Sequence, residues 1–265
     1  MRLSILDKLG LHIISVNKYR YVNFYWEIKL KKNSLSCDNQ EIFFGTKAIL
    51  LGSIGSIVET SELQLAAFNE AFKKFGLDWE WTTSQYKPML VQAGGRKRIK
   101  EFSKVTNISL SDEEIEKVYT MKGDYFVDFL ESVEMEPRNG VRELMEQSAC
   151  EGIKLGWVTT TSEQNISAIK NSLNNKIDFG LFEVITSREQ CLEPKPSPMV
   201  YKKALEFLAV GAKMAVAIED SNSGVSSSKQ AGIFTIAFPG EYGKDHDFSR
   251  ADICLENLNK ISLSS

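Results

Sequence analysis

The run Lys47-Ala-Ile-Leu-Leu51 is short, continuously apolar and closed at once by Gly52 and Ser53, the pattern of a parallel strand buried on both faces. The periodicity then changes. Leu65, Phe68, Phe72 and Phe75 recur at helical spacing until Gly76, and Ser61 with Gln64 has the form of a capping box that would start that helix. A second pair, Ser111 and Glu114, opens a helix over 112–130 with Ile115, Val118, Phe126 and Phe129 as its apolar stripe. Residues 61–135 thus read as mostly helical. Beyond Pro137-Arg-Asn-Gly140 the pattern alternates. Helices over 141–149, 162–173, 197–209 and 222–231 interleave with strands over 153–158, 182–186, 214–218 and 233–237. Together with the first strand they make a doubly wound parallel α/β sheet. The expected organisation is a core of residues 45–60 and 136–258, a helical insert over 61–135, an extension over 1–44 and a tail over 259–265. A cleft is expected at the carboxyl ends of the strands, where Gly52, Thr159 and Glu219 fall.

The extension differs from the rest. It holds seven Lys or Arg against four acids, with aromatics at Tyr19, Tyr21, Phe24, Tyr25 and Trp26, and lacks the apolar stretch and small-residue cleavage site of a secretory signal. It reads as a basic, aromatic binding arm, or as a poorly ordered segment upstream of the true start. If residues 19–30 are ordered, their alternation suits an added strand. Over the whole chain 32 basic and 35 acidic residues are interspersed for a net charge of -3, which argues against nucleic acid or a membrane surface as partner. No stretch reaches the roughly 18 consecutive apolar residues of a membrane span. Cys37, Cys150, Cys191 and Cys254 are far apart, and His12 and His246 are the two histidines. Neither a zinc site, a disulfide framework nor a Ser-His-Asp apparatus is suggested, and reduced thiols point to a cytoplasmic location.

Four segments carry the chemistry. They are Lys47-Ala-Ile-Leu-Leu-Gly-Ser-Ile-Gly-Ser56, Lys154-Leu-Gly-Trp-Val-Thr159, Glu193-Pro-Lys-Pro-Ser-Pro198 and Val216-Ala-Ile-Glu-Asp-Ser-Asn-Ser-Gly224. In order and spacing they resemble the haloacid dehalogenase (HAD) superfamily, in the branch of CbbY, beta-phosphoglucomutase and phosphoglycolate phosphatase. The resemblance covers residues 45–258 and implies a HAD-like core with a C1-type helical cap inserted after the first strand. It also implies a Mg2+-dependent chemistry on phosphorylated sugars, with an aspartate nucleophile and an aspartate acid/base in the first segment.

This chain places Gly52 at the nucleophile position and Ile54 at the acid/base position. Covalent phosphoryl transfer needs a carboxylate to attack phosphorus and a second group to protonate the leaving oxygen; glycine and isoleucine supply neither. Ser53 follows Gly52, and strand alternation would aim it away from the site. The resemblance implies Ser56, Thr159 and Thr160 as phosphate contacts and Lys195 as the neutralising cation, freed here for an anionic ligand or for solvent by the missing aspartate. It implies Glu219 and Asp220 as a Mg2+ pair weakened by the same loss. Gly94-Gly-Arg-Lys-Arg98 resembles the specificity loop of the branch, with Arg96 and Arg98 facing a second phosphate or the sugar. The reading is a HAD-like protein without the standard phosphatase activity, binding a phosphorylated small molecule or acting as a regulatory pseudoenzyme. Alternatives are an active Mg2+-dependent sugar-phosphate phosphatase or mutase of non-standard mechanism, and a protein-interaction module.

Overall fold

A computed structural model describes residues 45–91, 94–191, 193–261 and 263. The basic aromatic extension, its suggested strand, Cys37 and His12 lie outside the described residues. Six parallel strands, β1 (Ala48–Gly52), β2 (Lys154–Val158), β3 (Phe182–Ile185), β4 (Ala215–Glu219), β5 (Phe234–Ala237) and β6 (Ile253–Cys254), form one sheet in the order β3-β2-β1-β4-β5-β6. Around it lie α5 (Val141–Cys150), α6 (Glu163–Ser172), α7 (Met199–Leu208) and α8 (Asn222–Gln230). The central strand is buried at every position, because each face meets a different apolar layer. Ile49 and Leu51 join Leu144, Ile169 and Phe238 on one side, and Ala48 and Leu50 join Val200, Ala204 and Leu208 of α7 on the other. β6 went unforeseen because two residues carry no readable alternation.

Between β1 and α5 the chain builds a helical cap of α1 (Ser61–Phe75), α2 (Thr83–Met89), α3 (Gly95–Val105) and α4 (Asp112–Ser132). Its interior is aromatic: Phe68, Phe72, Trp79, Trp81 and Tyr86 pack with ring centroids 4.7–6.0 Å apart. Such pairs add to area burial through their edge-to-face geometry. The two cap linkers run antiparallel at Val58 and Pro137, with Arg138 N donating to Ile57 O at 2.8 Å. Ala67, Phe126 and Leu130 of the cap belong to the same apolar cluster as Ile57, Val58 and the β1 side chains, so the cap is seated on the core by continuous packing.

The capping box at Ser111 and Glu114 forms as expected, but the one at Ser61 and Gln64 does not. Thr60 is the N-cap of α1 and makes no side-chain cap bond. Glu59 Oε1 accepts from Ser61 N at 2.8 Å, and Gln64 Oε1 accepts from Lys122 of α4 instead. A tertiary partner has displaced the local one. Among the described residues no helix is long and apolar enough to cross a membrane.

Candidate active site

The ends of β1, β2 and β4 lie side by side because β1 pairs with both neighbours in register, Gly52 opposite Val158 and Leu51 opposite Ile218. At this junction the Glu219 carboxylate occupies the space a side chain at position 52 would need. A Cβ on Gly52 would stand 2.2 Å from Glu219 Cδ and Oε1 and 2.6 Å from the Tyr201 hydroxyl, and one on Gly224 would stand 2.0 Å from Glu219 Oε2. Contacts below about 3.0 Å are not accommodated by a packed interior, so two glycines make the seat in which Glu219 sits.

Lys195 Nζ donates to Glu219 Oε1 at 2.5 Å and to Val158 O at 2.8 Å, and Tyr201 Oη donates to the same Oε1 at 2.6 Å. The Lys195 and Glu219 side chains are 3% and 0% exposed. Lys195 was expected to be released toward ligand or solvent; instead it is locked to Glu219, because a buried ammonium requires a counter-charge. Burial and the adjacent Glu219 charge hold the Tyr201 phenol well above its ordinary pKa, so it stays a donor.

Ser53 also departs from expectation. β1 ends at Gly52, and Ser53 turns into the left-handed region at φ +43°, with its N–H on Val158 O at 3.1 Å and its carbonyl accepting from Trp157 Nε1 at 3.1 Å. That turn breaks strand alternation and brings the hydroxyl 3.4 Å from both Glu219 Oε2 and Lys195 Nζ. Ile54 packs, partly buried, against the apolar cluster that contains Ile49 and Leu51.

Asp220 follows Glu219 directly after β4. Its Oδ1 is buried without a hydrogen-bond partner, and its Oδ2 would stand 1.9 Å from a Cβ on Gly55. Enclosure first, and the Glu219 charge second, push it up to about 7, against the pull of Lys195 and Arg138. Arg138 clamps three carbonyls: Nη1 donates to Gly55 O at 2.7 Å and Phe238 O at 2.8 Å, and Nη2 to Pro239 O at 2.6 Å. Its guanidinium lies 3.4 Å from the Phe238 ring centroid. The loop after β1 is thereby fixed to the end of β5.

A resident Mg2+ would draw on these carboxylates. Asp220 offers one uncommitted oxygen, Glu219 is engaged by Lys195 and Tyr201, and position 52 offers none. Among the described residues no group of three or more His, Cys, Asp or Glu side chains gathers into a metal site. Magnesium takes near-octahedral oxygen coordination from one or two carboxylates with phosphates and waters. The residues present do not fit an ion held by protein carboxylates alone.

Of the expected phosphate contacts, Thr159 is buried at the end of β2, its N–H donating to Thr186 Oγ1 at 2.9 Å and its Oγ1 accepting from Thr161 N at 3.1 Å. Thr160 is half-buried where the chain enters α6, whose N-cap is Ser162. Ser56 is fully buried and its hydroxyl donates to Ile218 O at 3.0 Å, which commits it to bracing β4. Arg96 pairs with Glu116 and lies 4.1 Å from the Tyr119 ring centroid. Arg98 Nε donates to Met89 O at 3.0 Å, with its guanidinium 5.8 Å from the Tyr86 ring centroid. Between cap and core lies a cavity of about 390 Å³, bordered by Val91 and Lys97 on one side and Lys195, Pro196, Asn222 and Ser223 on the other. Sequence reasoning missed Tyr201 and Arg138. Tyr201, six residues beyond Lys195, carried no signal of its own, since an aromatic residue on a helix reads first as core.

Comparison with known proteins agrees with this architecture. Residues 55–238 match the haloacid dehalogenase-like hydrolase family, the match starting just past positions 52 and 54. Protein CbbY of Cereibacter sphaeroides is 34% identical over 215 residues, covering 81% of this chain and 94% of that protein. Protein CbbY of Rhodobacter capsulatus is 32% identical over 213 residues, covering 80% and 94%. The crystal structure of CbbY from Rhodobacter sphaeroides in complex with xylulose-(1,5)bisphosphate, a mutant form, superposes with a TM-score of 0.74 at 34% identity, covering 80% of this chain and 95% of that one. With the sheet order, the inserted cap and four motif segments converging on one junction, the chain belongs to the haloacid dehalogenase-like hydrolase family, in its CbbY-like branch.

Proposed function

We propose that this protein binds a phosphorylated small molecule in the cytoplasm without catalysing the phosphoryl transfer usual in its family. One observation carries the proposal: Gly52 stands at the nucleophile position, and the Glu219 carboxylate fills the space its side chain would take. Loss of a nucleophile costs on the order of 10^4 to 10^6 in turnover, leaving only binding and electrostatic contributions. Ile54 removes the acid/base group as well. Any divalent ion would enter with the ligand's own phosphate oxygens, since Asp220 alone is uncommitted. The class of ligand is supported by the relative solved with xylulose-(1,5)bisphosphate and by a cavity of about 390 Å³ beside Lys195, within the size range of small-ligand sites. Titration calorimetry with xylulose 1,5-bisphosphate, alongside a phosphate-release assay, tests it. Binding without release is expected; release that survives repurification and is lost in Asp220→Ala would sink it.

A second reading, residual hydrolysis, is favoured by the Ser53 hydroxyl lying between Lys195 and Glu219. There Ser53 Oγ would attack phosphorus, its proton passing to Glu219 and from Glu219 to the departing alkoxide. Water would then cleave the phosphoserine. Mass spectrometry of protein quenched during exposure to the sugar bisphosphate decides: phosphate on Ser53 establishes this reading, and an unmodified Ser53 removes it.

A further inference from the structure

The segment that leaves β5 belongs to the core, yet one of its side chains is packed in the cap. Phe238 N donates to Glu219 O at 2.7 Å, and the Phe238 and Pro239 carbonyls are held by Arg138, so the segment starts fixed to the strand ends. A single 3-10 turn, Glu241–Gly243, follows. Tyr242 within it is 7% exposed and joins the aromatic cluster of Phe68, Phe72, Trp79, Trp81 and Tyr86. Its ring centroid stands 6.3 Å from that of Tyr86, edge to face, and 5.2 Å from Lys87 Nζ. His246 Nε2 then donates to Lys87 O at 3.2 Å.

The same segment is tied to the first cap linker. Glu59 Oε2 accepts from Glu241 N at 2.6 Å while its Oε1 accepts from Ser61 N, so one carboxylate joins the 3-10 turn to the start of α1. A Cβ on Gly240 would stand 2.6 Å from Glu59 Oε2, and a side chain there would push the two apart. The cap helices differ in how they meet the core. Ala67 of α1 and Phe126 and Leu130 of α4 share the core's apolar cluster, whereas Tyr86 and Lys87 of α2 meet it through Tyr242 and His246. Just past the end of α2, Val91 borders the cavity opposite Lys195 and Pro196. Drawing α2 away from the core therefore widens that cavity and pulls Tyr86 and Lys87 off Tyr242.

We propose that residues 240–246 form a strap that holds α2 against the core and controls access to the cavity beside Lys195. A ring pair, a cation over a ring face and one hydrogen bond are each weak, so the strap releases without unfolding the cap or the core. The inference goes beyond the proposed function and does not depend on which ligand the cavity takes.

The test uses the full chain without ligand and reads access chemically. Ser223 borders the cavity on the core side, and Ser223→Cys places a thiol there whose reaction with N-ethylmaleimide is followed by peptide mass spectrometry. Cys191, buried in the core, is the internal control for general loosening. Adding Tyr242→Ala is expected to speed modification at position 223 roughly 5- to 50-fold with Cys191 unchanged, and Tyr242→Phe, which keeps the ring, to leave both rates as they were. His246→Ala and Lys87→Met leave Tyr242 in place and keep the test decisive should Tyr242→Ala fail to fold; each is expected to speed position 223 about 2- to 10-fold. Unchanged rates at position 223 overturn the strap. Parallel acceleration at 223 and Cys191 overturns it as well, since Tyr242 would then be supporting the fold as a whole. Either result leaves the proposed function standing.

Discussion

Gly52 and Glu219 share one volume: a methyl group on the first would stand 2.2 Å from the carboxylate of the second. With no carboxylate at the end of β1, Glu219 of β4 is the counter-ion of Lys195. Restoring aspartates at positions 52 and 54 is therefore not a simple reversal. Gly52→Asp forces two carboxylates into one seat, and overpacking alone costs about 1–3 kcal/mol. Gly52→Asp is expected to destabilise strongly, and Gly52→Asp with Glu219→Ala to recover part of the loss because Lys195 regains a partner. The double-mutant coupling should be favourable by about 0.5–3 kcal/mol in urea unfolding; additive effects would contradict a shared seat.

Removing Lys195 should expose the same dependence from the other side. Lys195→Met leaves Glu219 fully buried, with Tyr201 and Ser53 as its remaining polar contacts. Breaking a buried pair by deleting one partner costs about 3–5 kcal/mol. Lys195→Met with Glu219→Gln should be less destabilised than Lys195→Met alone. A thermal-shift comparison in which the single variant unfolds with the unaltered protein would refute the buried pairing.

Arg138 gives a third prediction. Its guanidinium satisfies three carbonyls, of Gly55, Phe238 and Pro239, and burial lowers its pKa without discharging it. Arg138→Leu leaves these acceptors without their donor and removes a cation that opposes the upward shift of Asp220. Each unsatisfied buried group costs about 1–3 kcal/mol. We expect a loss of several kcal/mol in urea unfolding, with Arg138→Lys recovering little because one ammonium cannot reproduce the planar fork.

The first five strands were legible because each is a short, largely apolar run ended by a turn, whereas the two-residue β6 was not, and the four segments identified where those runs converge. Positions 52 and 54 could be read as chemically empty from residue type alone. What filled position 52 could not, because Glu219 lies 167 positions away along the chain and reaches Gly52 only through the pairing of β1 with β4. Ser53 was misplaced because alternation holds only while the strand lasts, and a single left-handed residue ends it. Gln64 was read as a cap residue because the local pattern allowed it; a lysine on α4 competed for the same amide oxygen. Lys122 carried no sequence signal, since lysine on a helix is ordinarily solvated.

Lys122 also makes a prediction about pH. Burial, and secondarily Arg98, lower its pKa from 10.5 to about 7. The unfolded chain then binds a proton that the folded chain does not between about pH 7 and 10.5, and stability rises with pH wherever the unfolded state holds more protons. The contribution is thus present in full above 10.5, is lost as pH falls toward 7, and changes no further below it, with a limiting slope of about 1.4 kcal/mol per unit. Unfolding free energies of the unaltered protein minus those of Lys122→Met isolate it from other groups that titrate in alkali, Tyr86 and Tyr201 among those shifted upward. The difference should climb across that window, and a flat difference would show that Lys122 keeps its proton in the fold.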